Sequence, residues 1–252
     1  MMNLDLHTHG KLSKKTHFSL DYFAAMTAEA IENGLNAIAL TEHFNTLNYT
    51  DMLDQLDAAF AYQDDYYDVD GLKVFTGMEV DVAERGHILI IGNRLYLRDL
   101  RQQLEPYSEK GSFIPFSELM DRTEDAPVLR IGAHPMRESN PLTQYAAEQL
   151  LRLHALDINA KDLYQYGPGM ADQVRQLAAE IGLPACAGSD SHQPLQFGSV
   201  WNVLERECRT AAELREELQS GRYSAEISPC LSVKVKAAQM MKELLKKTMT
   251  VE

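Results

Sequence analysis

The chain has 252 residues, 45% of them hydrophobic, and a formal net charge of −13 at pH 7. That length and composition suit one α/β domain (1–252) with a full core, and the acidic balance argues against a nucleic-acid polymer while leaving a small anionic substrate open. Cys186, Cys208 and Cys230 have no paired spacing and read as reduced thiols, no run is long enough to span a membrane, and candidate ligands from His7 onward leave no room for a cleaved leader, so the cytoplasm is the expected compartment.

Strand-like and helix-like segments alternate along the chain. Residues 4–9 read as a strand ending in His7-Thr8-His9, whose two imidazoles, two residues apart, point to the same side. Ser19 or Asp21 can cap a helix with Phe23, Met26, Ala30 and Ile31 inward and Gly34 as its stop. A buried strand over 35–40, a helix over 51–62 and strands over 73–79 and 87–91 follow. Next come a strand over 128–133, a helix over 143–153, a strand over 156–159, a helix over 170–181 ending at Gly182, and short strands over 184–187 and 200–204. Thr210-Ala211-Ala212-Glu213 has capping-box spacing and opens a helix through Leu218. A basic helix over 233–248 closes the chain; its Met240, Met241, Leu244 and Leu245 suit packing onto the barrel, or a subunit interface in a homo-oligomer. Repeated βα units predict a parallel sheet with right-handed crossovers, closed into a TIM-barrel-like (β/α) barrel rather than left open.

Six of the eight histidines fall at or near predicted strand ends. His7 and His9 follow the first strand, Thr41-Glu42-His43 the second, Glu79 ends the third with His87 soon after, His134 ends a later one, and Ser189-Asp190-Ser191-His192 follows the strand at Ala187. Strand carboxyl ends are the face on which barrel enzymes build active sites, and imidazole is the commonest metal ligand. His17 lies in a polar loop, where it is either solvated or a ligand. His154 reads as a helix-end residue placed favourably for the dipole.

His7-Thr8-His9, Thr41-Glu42-His43, Gly77-Met78-Glu79, Gly86-His87-Ile88-Leu89, Ala133-His134-Pro135 and Gly188-Ser189-Asp190-Ser191-His192, taken in order over residues 4–201, resemble the PHP (polymerase and histidinol phosphatase) family. The resemblance implies a distorted (β/α)7 barrel and either a metal-dependent phosphoesterase or a non-catalytic metal-binding module of the kind found inside replicative polymerases. It also implies two to three divalent ions (Zn, Mn or Fe). One would take His7, His9, Glu79 and Asp190; a second Glu79, His87 and His134; a third His17, His43 and His192. Glu79 suits a bridge because a carboxylate offers two oxygens. Glu42 stands where the family often has Asp, and it reads as orienting a histidine rather than as a ligand. Asp81, two residues after Glu79, competes with it for the ligand role.

The expected chemistry is hydrolysis of a small phosphate ester by a metal-bridging hydroxide, with Glu79 and Asp190 as catalytic residues and Asp190 steering or deprotonating the water. Arg137 is the candidate phosphate-binding cation, its alternative being a surface arginine. Lys14 and Lys15 flank the entrance loop, and Asn159 either lines the pocket or caps the next turn. Histidinol phosphate is one possible substrate, although nothing in the sequence identifies an imidazole pocket.

Overall fold

Period-two burial builds the barrel: on each strand one set of alternate residues fills the interior and the other packs against helices. The computed structural model describes residues 1–248. It runs β1 (Met2–Thr8), α1 (Leu20–Glu32), β2 (Ala37–His43), α2 (Tyr49–Ala59), β3 (Ala61–Gln63), β4 (Tyr66–Val69), β5 (Leu72–Asp81), β6 (His87–Ile91), α3 (Arg94–Gln103), α4 (Phe116–Thr123), β7 (Leu129–Ala133), α5 (Ala147–Leu150), β8 (Ala155–Asn159), α6 (Ala160–Tyr166), α7 (Met170–Ile181), β9 (Ala185–Gly188), β10 (Val200–Leu204), α8 (Ala211–Gln219), β11 (Tyr223–Ile227) and α9 (Leu231–Thr248). Residues 249–252 of the expected domain lie outside the described residues. No helix among the described residues is long and apolar enough to cross a membrane.

The sheet order is β11-β10-β1-β2-β5-β6-β7-β8-β9, with β4 on β5 and β3 on β4. The seven strands from β1 round to β9 form the distorted barrel wall. The ring closes where the segment after β9 returns to β1: Asp190 N donates to His7 O (2.8 Å), His9 N donates to Ser191 O (2.8 Å), and Thr8 bridges Ser191. Lower on the same seam, buried Asn202 of β10 accepts from Ala187 N (2.8 Å) and donates to Leu4 O (3.1 Å) and Ala187 O (2.8 Å).

The expected all-parallel sheet is instead mixed. β6 runs antiparallel to both β5 and β7 because residues 82–86 are too few for a crossover. Arg85 (φ 75°) and Gly86 (φ 120°) make that turn. β6 therefore starts at the rim where its neighbours end, which puts His87 at its first residue, on the same rim as Glu79. β10 and β11 are antiparallel additions outside the ring.

Several element ends differ from expectation. α2 stops at Ala59, and residues 61–63 form β3 of a hairpin with β4. The helix over 143–153 shrinks to α5, where Gln149 reaches back to accept from Ala146 N (3.1 Å). Ser19 caps α1 as expected, but Ile31 is exposed while Phe23, Met26 and Ala30 are buried. On α9, Leu231, Val235 and Ala238 face inward, whereas Met240, Met241 and Leu244 are exposed rather than packed on the barrel.

Candidate metal centre

The interior face of each strand changes from apolar to polar as it reaches the rim. On β5, Phe75 fills the barrel floor and Glu79 stands above it; on β6, His87 stands above Leu89 and Ile91; on β8, Asp157 and Asn159 stand above Ala155. β1 needs a further device. Its register against β2 shifts between Asp5 and Thr8, a bulge that lets Leu4 and Leu6 face the floor and His7 and His9 face the site. His134 (φ 34°) and Asp190 (φ 57°) occupy the left-handed region just past β7 and β9, backbone strain of the kind concentrated at functional sites.

Glu79 is the hub. Its Oε1 lies 2.7 Å from His87 Nδ1, 3.3 Å from His134 Nε2 and 3.8 Å from His7 Nε2; its Oε2 lies 2.7 Å from His43 Nδ1 and 3.6 Å from His9 Nε2. Asp190 Oδ1 faces His9 Nε2 at 3.3 Å, His192 Nε2 at 3.7 Å and His7 Nε2 at 4.0 Å. Three groups bring their ligand atoms close enough together to share a cation: His7, His9 and Glu79; Glu79, His87 and His134; and His9, His43 and His192. His7 Nε2 and both His9 ring nitrogens are buried without a hydrogen-bond partner. Buried polar atoms left unpaired are costly, so this donor set fits divalent cations.

The resemblance-implied third set is only partly assembled. His17 is exposed and belongs to none of these groups, because Phe18 packs inward against Phe23 (5.5 Å between ring centroids) and Ser19 caps α1. Asp81, the competing carboxylate, sits farther out at the rim, paired with His87 Nε2 (3.0 Å) and Lys14 Nζ (2.8 Å). Lys14, Lys15, Lys110 and Phe113 line a cleft of about 770 Å³ that also reaches Asp81 and His87.

Behind these side chains stands a supporting layer. His7 Nδ1 lies 3.0 Å from Asp157 Oδ2, which also accepts from Asn159 Nδ2 (3.0 Å). Glu42 is fully buried, accepts from Gly10 N (3.2 Å) and His43 N (3.1 Å), and lies 3.7 Å from His9 Nδ1, an orienting position. His192 Nδ1 is 3.0 Å from Lys11 O, so donation there turns Nε2 to the site. Arg137 is not a free surface arginine. Its Nε donates to Asp162 (2.7 Å), and its Nη2 to Asn159 Oδ1 (3.0 Å) and Asp190 Oδ2 (3.1 Å). Asn159 thus both lines the site and caps α6, accepting from Lys161 N (3.1 Å). His154 is no dipole partner: it is buried in a loop, its Nδ1 accepting from Arg130 N (3.0 Å). Asp157, Lys161 and Lys242 were not foreseen; for Asp157 the available signal was a carboxylate inside an otherwise apolar strand.

Electrostatics favour the metal-ready forms of Glu79, Asp190, His134 and His192, whereas at His7 and His9 burial is outweighed by neighbouring carboxylates and the proton is held more tightly. Burial pushes the Glu79 carboxyl up, but His43, His87 and His134 outweigh it and hold it well below the usual range. Burial is likewise overcome at Asp190 by Lys161, His9 and Arg137. His134 is pushed well down by burial and then Arg137, and His192 by burial and then His9 and Lys242, so both are neutral lone-pair donors. At His87 burial lowers the pKa, but Glu79 and Asp81 raise it to about 9, where a cation would compete with the proton.

A PHP domain model matches residues 5–109 and a PHP-associated model matches residues 171–223. No curated protein matches the chain. PsfC from Pseudomonas syringae PB-5123 superposes with a TM-score of 0.81 at 21% identity, covering 97% of this chain and 98% of that one. The lesion-specific endonuclease PfuEndoQ from Pyrococcus furiosus has a TM-score of 0.68 at 20% identity, covering 90% of this chain and 57% of its own. Endonuclease Q in complex with a 27-mer duplex substrate gives 0.67 at 21%, with 90% and 58% covered. The chain belongs to the PHP family of metal-dependent phosphoesterases, on the two models it matches and the ordered motifs it carries.

Proposed function

We propose that the protein hydrolyses a phosphate ester of a small molecule at a centre of three divalent cations. The observation that carries this reading is the convergence of the imidazoles of His7, His9, His43, His87 and His134 on one buried carboxylate, Glu79, with all five ring nitrogens within 3.8 Å of its oxygens. One ion takes His7, His9, Glu79 and Asp190, and a second Glu79, His87 and His134. The third takes His43 and His192, with His9 facing the same space.

When bound, such ions acidify a water and neutralise phosphoryl oxygens; imidazole and carboxylate ligands suit zinc, manganese and iron alike. The remaining work belongs to the chain. Asp190, held ionised, orients the attacking water or takes its proton. Arg137, fixed by Asp162 and Asn159, presents the rest of its guanidinium to a phosphoryl oxygen. Asp157, Glu42 and the Lys11 carbonyl hold His7, His9 and His192 in place.

A non-catalytic scaffold is disfavoured because every expected ligand position except His17 is brought to the site. The net charge alone does not exclude DNA, since endonuclease Q shares this fold and was solved with a duplex substrate. The test is a panel of small phosphomonoesters, histidinol phosphate among them, with a phosphodiester and an abasic-site duplex, assayed with zinc, manganese or iron and again after chelation. Turnover of a small monoester, abolished by chelation, is expected. Cleavage of the duplex alone would move the substrate to DNA, and no turnover of any ester would end the enzymatic reading.

A further inference from the structure

Helix α9 carries a cation into the site. Its inward face is fixed by buried Leu231, Val235 and Ala238, and by Lys234 Nζ, which donates to Asn33 Oδ1 (2.7 Å) and Phe197 O (2.9 Å). Lys242 lies four residues past Ala238 and so continues that face. It closes a cavity of about 30 Å³ together with Lys161, Asp190, His192, Gln193 and Gln196. That volume holds about one water-sized oxygen.

The charges in this corner do not balance. Asp162 offsets Arg137, and Asp190 faces both Arg137 (3.1 Å) and Lys161 (3.9 Å). Lys242 has no hydrogen-bond or ion-pair partner among the described residues. Burial works against its charge, and Asp190 is the carboxylate in this corner that favours it. Once Asp190 binds a cation, the imbalance grows. A half-buried, unpaired ammonium facing a cavity of one oxygen's size marks a place for an anion's oxygen.

We infer that Lys242, with Lys161, binds a non-bridging oxygen of the substrate's phosphoryl group, which makes α9 part of the active site and favours phosphomonoester dianions over phosphodiesters. The inference rests on the phosphoesterase reading for its substrate, though not for the anion site itself. A monoester at neutral pH carries one more negative charge than a diester, and its extra terminal oxygen is the one that can enter the cavity.

The experiment uses the full metal-loaded chain and compares Lys242→Ala, Lys242→Arg and, as a control on the same helix, exposed Lys236→Ala. Two readouts are taken: calorimetric titration with inorganic phosphate, and kinetics on 4-nitrophenyl phosphate and bis(4-nitrophenyl) phosphate. Lys242→Ala is expected to weaken phosphate binding and raise KM for the monoester by about tenfold or more, with metal content unchanged, while diester kcat/KM moves less than about threefold. Lys242→Arg should recover much of the loss, and Lys236→Ala should change nothing. Unaltered phosphate affinity in Lys242→Ala, or an equal loss on both esters, overturns the inference even if the protein is a phosphoesterase. Weakened phosphate binding in a protein that turns over neither ester sustains the anion site and removes the phosphoesterase reading instead.

Discussion

His7 Nδ1 on β1 and Asp157 Oδ2 on β8 lie 3.0 Å apart although 150 residues separate them in sequence. The pair sets the His7 tautomer that a bound cation needs: with Nδ1–H donated to Asp157, Nε2 beside Glu79 and Asp190 is left to give its lone pair to the ion. Replacing Asp157 by Asn keeps the shape but removes the charge and permits the opposite tautomer. Supporting carboxylates of this kind are worth about 10- to 100-fold in metal affinity. Asp157→Asn should weaken metal binding by that order in a chelator competition titration, with little change in far-UV circular dichroism.

Gly188 lets that pair meet. A Cβ there would lie 2.5 Å from the His7 Cβ and 2.6 Å from Asp157 Oδ1, closer than atoms pack without movement. Gly188→Ala should therefore lower metal affinity in the same titration and also destabilise the metal-free protein, by about 1–3 kcal/mol. Equal affinity in the variant would mean that the pair moves together without losing its geometry.

Glu79→Gln tests the hub. Glutamine keeps an oxygen but loses the charge that holds His43, His87 and His134 around it. Elemental analysis should find at least one ion fewer per chain, and activity should fall by about 100-fold or more. Retention of the full metal complement would move the bridging role to another carboxylate, with Asp81 the nearest candidate along β5.

The barrel seam offers a test away from the metals. Asn202 satisfies the backbone of Leu4 and Ala187 where β1 and β9 do not pair directly along their lower halves. Asn202→Ala leaves those buried groups unpaired and should cost about 3 kcal/mol in denaturant unfolding.

The side chains gathered around Glu79 were legible because period two and strand-end position are local signals. The pairing of His7 with His9 could be read from spacing and the place of Glu79 from its strand end, while the choice of Glu79 over Asp81 came with the family resemblance. β6 was harder: its direction depends on how few residues separate Asp81 from His87, and the strand itself reads the same either way. The β1 bulge is invisible to alternation, since Leu4-Asp5-Leu6-His7 gives no sign that Leu6 and His7 face the same interior. Asp157 and Asn202 act through partners more than 100 residues away or across a seam, so their roles emerge only when the ring closes. Lys242 was hidden by its helix: a Met-rich, basic sequence suggests apolar packing, yet the methionines face out and one lysine faces in.

His154 sets a pH dependence of stability independent of the metals. Burial, and then Arg130 and Arg215, lower its pKa to about 3, while in the unfolded chain it titrates near the ordinary 6.5. Between those values the unfolded state binds a proton that the folded state refuses, so stability contributed by neutral His154 is intact above about pH 6.5 and is lost as the pH falls toward 3. His154→Asn places an amide oxygen near the position of Nδ1 to accept from Arg130 N–H without the titration. In metal-free protein the variant should be close to or somewhat below the parent at pH 7, then gain on it by about 2 kcal/mol by pH 4.5, as read from urea midpoints at both pH values. The carboxylates and metal-centre histidines titrate in both proteins and cancel in the difference. A gap that stays constant with pH would mean that His154 accepts its proton in the folded state, with the Arg130 backbone N–H giving up its bond.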